Sequence, residues 1–379
     1  MEYFFVPGRL KELSLVELDS VCKNILGFQY DLSNQGQYFI LKTDLDKTFV
    51  EKVFLRLGGF LKYGEILDAG ISIQNLVGDK KITFGISSYD DSADFEDIKK
   101  LSHNFKTEFL KTGKKVRFVL PRSEKYLSAS QVLNNKLISE GIELVILKNQ
   151  MGRTLGVQDI ESFSARDYKK PYVDSKMGVL PIKLSRIMIN LAGIKQGGSL
   201  WDPFCGSGNI LLEGLDMGYD VLGSDIDTEA IQGAKKNVSW AKKTFKYDNN
   251  ANLFYLDIQN PTRSKVDILE KSKIDGIVCE PYMGKPQRKL LEVNDANSLV
   301  RQHYSLVESL FAILDVLNLE KKIKVVVIFP EYKTKKGWIS VKKDQLNFKG
   351  TKLIQKDLHW SRENSIIKRL IFVFEYKSR

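Results

Sequence analysis

From Ser199 onward the chain alternates short apolar runs with longer amphipathic stretches. The runs are Ser199 to Phe204, Val221 to Ile226, Leu253 to Leu256, Gly276 to Cys279 and Lys324 to Phe329, with helical patterning such as Asn297 to Leu317 between them. Apolar runs of strand length joined through helices are the signature of crossover connections, which bury both faces of a parallel sheet. A doubly wound α/β sheet is therefore predicted for this half, with ligand sites at the carboxyl ends of its strands.

The preceding half has a different rhythm. Tyr3 to Val6, Ser14 to Ile25, Gln37 to Leu41 and Leu45 to Leu57 read strand, helix, strand, helix, and Ser14 with Glu17 has the spacing of a capping box. Ile82 to Ser87, Asp94 to Lys111, Val116 to Leu120, Ser128 to Glu140 and Glu143 to Leu147 continue as strand, helix, strand, helix, strand. Two small α+β units are implied. The second is dense in Lys99, Lys100, Lys106, Lys111, Lys114, Lys115, Arg117, Arg122 and Lys125, a face suited to phosphates, or the solvated side of an ordinary amphipathic helix. Arg166 to Pro181 is polar, with two prolines and a glycine, and reads as the linker into a third unit. A length of 379 residues has room for several domains.

Composition narrows the class. Lys and Arg number 58 against 47 Asp and Glu, a net charge of +11, and such a surface attracts phosphate backbones. No run approaches the ~18 apolar residues that span a bilayer. Met1 to Arg9 lacks the pattern of a secretory signal, so a cytoplasmic protein is expected. Cys22, Cys205 and Cys279 have no Cys-x-x-Cys spacing, which indicates neither a disulfide framework nor a zinc site, and no metal is expected.

The chemistry is concentrated at the predicted strand ends. Asp202-Pro203-Phe204-Cys205-Gly206-Ser207-Gly208-Asn209 closes the first run, and its glycines let backbone approach a ligand while the following helix offers free N–H groups. The next run ends in Asp225, where a ribose diol can donate two hydrogen bonds, and the third in Asp257, near where an adenine amine can donate. A backbone cradle with two carboxylates, without a phosphate-binding lysine loop, suits the nucleoside of S-adenosylmethionine. Asp202, Phe204, Gly206, Gly208, Asp225 and Asp257 are the predicted cofactor residues. The fourth run ends in Glu280-Pro281-Tyr282-Met283-Gly284. A carboxylate beside a proline carbonyl offers two acceptors to an exocyclic amine, and an aromatic ring can stack on its base, so Glu280, Pro281 and Tyr282 are the predicted catalytic residues. Cys205 reads as a packing residue inside the loop and Cys279 as strand core. Lys285, Arg288, Lys289, Trp360, Arg362 and Arg369 stand as RNA contacts or as plain surface.

These motifs carry a family resemblance over most of the chain. Asp202 to Asn209, together with Arg166-Asp167-Tyr168, Lys170-Pro171, Asp174, Gly178-Val179-Leu180-Pro181 and Lys183-Leu184, resembles the tRNA guanine-10 N2-methyltransferases. Phe5 to Arg9 with Glu12-Leu13-Ser14 is similar to that family's opening, Leu127 to Ser130 with Asn135 to Leu137 to its THUMP domain, and Gly156 to Ile160 to the THUMP exit. The resemblance implies a ferredoxin-like domain over residues 1–70, a THUMP RNA-binding domain over 71–163 that grips the tRNA acceptor end, and a Rossmann-like class I methyltransferase domain over 164–379. It also implies methylation of a guanine amine, with tRNA as partner and, as in some eukaryotic relatives, a small activating protein subunit. The family's catalytic motif is Asp-Pro-Pro-Tyr-Gly. Here Glu280 stands at the Asp position, Tyr282 at the second proline and Met283 at the tyrosine. Two alternatives remain at this point: a DNA amino-methyltransferase acting on adenine N6 or cytosine N4, and a catalytically weak tRNA-binding paralogue.

Overall fold

The strand-forming runs close into two eight-stranded sheets. A computed structural model describes residues 1–68, 81–122, 124–148, 150–173, 178–287 and 289–378. These form two compact units, one of Met1–Leu15 with Phe28–Glu161 and one of Val16–Gly27 with Ser162–Arg379. Asp174 and Arg288 lie outside the described residues.

The first unit contains β1 (Glu2–Pro7), β2 (Asp31–Asn34), β3 (Phe39–Lys42), β4 (Phe60–Ile66), β5 (Lys81–Ser88), β6 (Lys115–Val119), β7 (Ile142–Leu147) and β8 (Gln150–Val157). Their order is β2-β3-β1-β4-β8-β7-β5-β6, so the two expected α+β patterns share one continuous sheet, joined where β4 pairs antiparallel with β8. The buried Glu143 carboxylate binds this join. Lys62 Nζ and Ser87 Oγ donate to its Oε1 at 2.5 Å, and Thr154 Oγ1 donates to its Oε2 at 2.6 Å. A buried ion pair is tolerable when its remaining lone pairs are satisfied in this way. The helices are α1 (Lys11–Ser20), α2 (Lys47–Arg56), α3 (Phe95–Leu110) and α4 (Ala129–Asn134). Asp46, Asp94 and Ser128 cap the last three. The expected Ser14–Glu17 capping box does not form, because tertiary partners claim both side chains: Ser14 Oγ donates to the Leu10 and Gly59 carbonyls, and Glu17 accepts from Asn190.

The second unit contains α5 (Ile160–Tyr168), α6 (Ile182–Ala192), β9 (Ser199–Asp202), α7 (Asn209–Asp216), β10 (Asp220–Asp225), α8 (Thr228–Phe245), β11 (Ala251–Tyr255), α9 (Arg263–Lys271), β12 (Gly276–Cys279), α10 (Val293–Leu317), β13 (Ile323–Thr334), β14 (Gly337–Ile339), β15 (Thr351–Trp360) and β16 (Ile367–Tyr376). The sheet runs β11-β10-β9-β12-β13-β16-β15. It is parallel as far as β13, after which β16 is inserted antiparallel between β13 and β15. This is the doubly wound α/β sheet expected, extended by an antiparallel edge. One face is packed by Trp201, Ile277, Phe311 and Phe374, the other by Leu211, Leu212, Val221 and Ala234. No helix among the described residues is long and apolar enough to cross a membrane.

The segment read as a linker is instead built into this unit. Arg166 and Arg186 both bind the buried Glu213 of α7, at 2.5 and 2.6 Å, and both also pair with Asp216. Lys170 donates to Asn209, whose Nδ2 in turn donates to the Leu180 carbonyl at 2.5 Å. Asn237 of α8 accepts from the Tyr172 amide at 2.9 Å and donates to the Ser207 carbonyl at 2.8 Å. The polar side chains that made the stretch look like a linker are matched by buried partners on α7 and α8.

Candidate active site

Strands β9 and β12 are neighbours whose outgoing connections run to opposite sides of the sheet, the arrangement that opens a crevice at strand carboxyl ends. A cavity of about 850 Å³ occupies that place. Asp202, Phe204, Gly206, Asp225, Asp257, Glu280, Pro281 and Tyr282 all line it, so eight of the nine sequence-predicted residues are brought together. Gly208 is the ninth. It caps α7 with φ +88° behind the wall, where an added Cβ would lie 3.4 Å from Ala234.

The turn from β9 into α7 is laced to the end of β10. The Cys205 amide donates to the Ser224 carbonyl at 2.9 Å, and the Gly206 amide donates to Asp225 Oδ2 at 2.8 Å. Asp225 Oδ1 accepts from the Asp227 amide at 2.9 Å. Asp202 is buried at the base of the turn and accepts from the Phe204 amide at 3.1 Å. Burial pushes its carboxyl well above the usual carboxylate range, and Asp225 and Glu280 push it further. Burial also raises the Asp225 carboxyl, against the amides that favour its charged form. Half-buried Asp257 accepts from the Gln259 amide at 2.9 Å and from Asn260 at 3.1 Å.

On the other side of the crevice, Glu280 leaves β12 and meets Arg369 of β16. Nε lies 2.6 Å from Oε1 and Nη2 3.4 Å from Oε2. Arg369 in turn sits over the ring of its cross-strand neighbour Trp360, 5.1 Å from the centroid. Tyr282 is 38% exposed, its ring open to the crevice. The loop behind it is tied down by two buried residues. His303 of α10 spans two backbone carbonyls, with Nδ1 3.2 Å from Tyr282 O and Nε2 2.8 Å from Ile328 O, and burial draws its pKa down to about 4. Tyr332 of β13 donates to the Met283 carbonyl at 2.7 Å. Cys205 and Cys279 are buried, as expected for packing residues.

Several contributors escaped the sequence reading. Trp360, Arg362 and Arg369, undecided between RNA contact and surface, belong to the cavity wall, as does Lys285. Ile226, exposed at the end of β10 and also in the wall, was missed, as were His303 and Tyr332. Ile226 adjoins Asp225 and was legible there, whereas His303 and Tyr332 carry no local signal, since each acts on a loop distant in sequence.

With the site described, its kinship can be stated. Residues 170–286 match the family described as RMKL-like, methyltransferase domain. The matched stretch is under a third of the chain. It contains the β9–α7 turn, the acidic ends of β10 and β11, and the Glu280 loop. The chain is 35% identical over 133 residues to the tRNA (guanine(10)-N2)-dimethyltransferase of Methanothermobacter thermautotrophicus, covering 35% of each chain. It is 26% identical over 183 residues to the tRNA (guanine(10)-N(2))-methyltransferase of Saccharomyces cerevisiae, covering 44% of this chain and 41% of that one. The chain thus spans well under two thirds of the length of these relatives. TrmN from Thermus thermophilus has the same fold, with a TM-score of 0.50 at 13% identity over 99% of this chain and 100% of that chain.

The chemistry of the cavity's own side chains bears on S-adenosylmethionine. In a protein of net charge +11 the cavity gathers Asp202, Asp225, Asp227, Asp257 and Glu280, and two of these carboxyls are raised by burial. Against these five acids the wall carries Lys285, Arg362 and Arg369, so acids outnumber bases, and a cationic nucleoside relieves the buried ones. Ile226 adds an exposed apolar side chain for a base. The donor set fits a sulfonium nucleoside.

Proposed function

We propose that the chain transfers a methyl group from S-adenosylmethionine to the exocyclic N2 of a guanine in tRNA, at position 10. The observation that carries this reading is the placement of the Glu280-Pro281 loop across one crevice from the Asp202, Gly206 and Asp225 cradle. The names of the matched relatives support the substrate.

In this reading Asp225 holds the ribose hydroxyls, Asp257 the adenine amine and Asp202 the cationic end of the donor, with Phe204, Gly206 and Gly208 shaping the turn. When bound, the donor supplies an electrophilic methyl carbon. Glu280 and the Pro281 carbonyl accept the two amine hydrogens, which aims the nitrogen lone pair across the crevice, and Tyr282 stacks on the base. His303 and Tyr332 occupy the next two carbonyls of the loop, so the Pro281 carbonyl keeps its direction. The chain divides into residues 1–70 as a ferredoxin-like domain, 71–163 as a THUMP domain that binds tRNA, and 164–379 as the catalytic domain. It works in the cytoplasm, with a small activating subunit as a further partner.

The test is transfer of labelled methyl to unmodified tRNA transcripts, with duplex DNA in parallel and nucleoside analysis of the products. N2-methylguanosine in tRNA alone is the expected result. Methylated DNA, or donor binding without any product, would overturn it.

A further inference from the structure

Glu280 is one methylene longer than the family's aspartate, and it is not alone. Arg369 reaches it from a strand nearly 90 residues further on, and both line the cavity beside Tyr282. The contact is lopsided. Nε to Oε1 is a short charge-assisted bond at 2.6 Å, whereas Nη2 to Oε2 at 3.4 Å is longer than a good hydrogen bond. Oε2 thus retains acceptor capacity, and of the five N–H donors of a guanidinium only two are directed at the carboxylate. Trp360 lies against the guanidinium, which limits its rotation. The pair therefore presents an acceptor and a donor side by side in one wall.

An acceptor beside a donor fits several base edges, but a carboxylate that takes two neighbouring donors, with the guanidinium donor next to it, fits guanine. The Watson–Crick edge of guanine runs from the donors N2–H and N1–H to the acceptor O6. We propose that Glu280 and Arg369 read this edge together: the carboxylate accepts from N1–H and one N2–H, and a free N–H of Arg369 donates to O6. The second N2–H goes to the Pro281 carbonyl. Adenine placed in the same pose would turn its N1 lone pair toward the carboxylate, and held instead by its N6 amine it makes two bonds to the pair, N6–H to Glu280 and N1 from Arg369, where guanine makes three. Arg369 is thus a specificity-determining residue, an assignment that rests on the guanine reading above.

The test uses the full chain saturated with S-adenosylhomocysteine. Short single-stranded RNAs identical but for one base compete for it, carrying guanine, 2,6-diaminopurine or 2-aminopurine. All three keep the 2-amino group, but only guanine has N1–H and O6. Phosphate contacts are common to the set and cancel in the ratios. Wild type is expected to prefer guanine by at least about tenfold. Arg369→Met should erase most of that preference, and Arg369→Lys, which keeps the charge but not the fork, should restore only part of it. Melting temperature and S-adenosylhomocysteine affinity report whether each variant folds. Indifference of the wild type to the base, or a guanine preference unchanged in both variants, overturns the proposal whatever methylation shows. An Arg369-dependent preference without any methylated product supports the base reading and rejects the methyl-transfer reading.

Discussion

Asp202 is 1% exposed and, apart from the Phe204 amide, looks toward two further carboxylates, Asp225 and Glu280. Its raised pKa means that the native state holds a proton which the unfolded chain, with an ordinary carboxyl near pH ~3.9, has already released. Stability of the ligand-free protein therefore falls as pH rises from that value through the raised native one, and stays lower above it. Asp202→Asn keeps an oxygen for the Phe204 amide and removes the charge. The variant should melt about 2–4 °C above wild type at pH 8, as a gain of ~1 kcal/mol implies, and should show no gain near pH 4. It should also lose S-adenosylmethionine affinity by at least about tenfold, since a charge-assisted contact becomes a neutral one. Calorimetry at the two pH values with a donor titration checks this. A variant that melts below wild type at pH 8 would place the stabilising role in Asp202 itself.

At the scale of elements, the loop after β12 depends on residues from α10 and β13. Tyr332→Phe removes the donor to the Met283 carbonyl with little change of shape, a loss of ~1 kcal/mol. The single-turnover methylation rate should drop about tenfold while donor affinity stays near wild type, because the loop lies on the target side of the crevice. Equal losses in both would mean that Tyr332 supports the whole cavity. This division also explains what sequence could reveal. The apolar runs of β9 to β13 and the Asp, Gly and Glu-Pro residues at their ends are local signals, and the crevice follows from their alternation. Arg369, Trp360 and His303 are joined to the loop only by pairing and packing of distant elements. Arg166 and Lys170 misled for the same reason: a polar stretch with prolines and a glycine reads as a linker until Glu213 and Asn209 are seen to meet it.

At the scale of the molecule, the second unit, which holds the crevice, is not continuous in sequence. Val16–Gly27 belongs to it, far from Ser162–Arg379 along the chain. The side chain of Glu17 accepts from Asn190 Nδ2 at 2.7 Å, and Ser20 Oγ donates to the Asn190 carbonyl at 2.8 Å. Lys195 donates to the Ile25 carbonyl at 3.1 Å, while Val21 and Cys22 are fully buried. A fragment beginning at residue 164, the boundary that the motifs suggest, would lose the two hydrogen bonds that Glu17 and Ser20 make to Asn190 on the last turn of α6. It would also open the apolar surface that Val21 and Cys22 cover. Two lost hydrogen bonds cost about 1–3 kcal/mol, and loss of two buried side chains adds ~2 kcal/mol or more. At roughly 2–4 °C per kcal/mol for a unit of this size, the fragment should melt about 10 °C below the catalytic transition of the full chain. Calorimetry of both, each saturated with S-adenosylhomocysteine to mark the catalytic transition, decides the matter. Coincident transitions would mean that residues 16–27 rest on the unit without stabilising it; a lowered one would mean that they are part of its core.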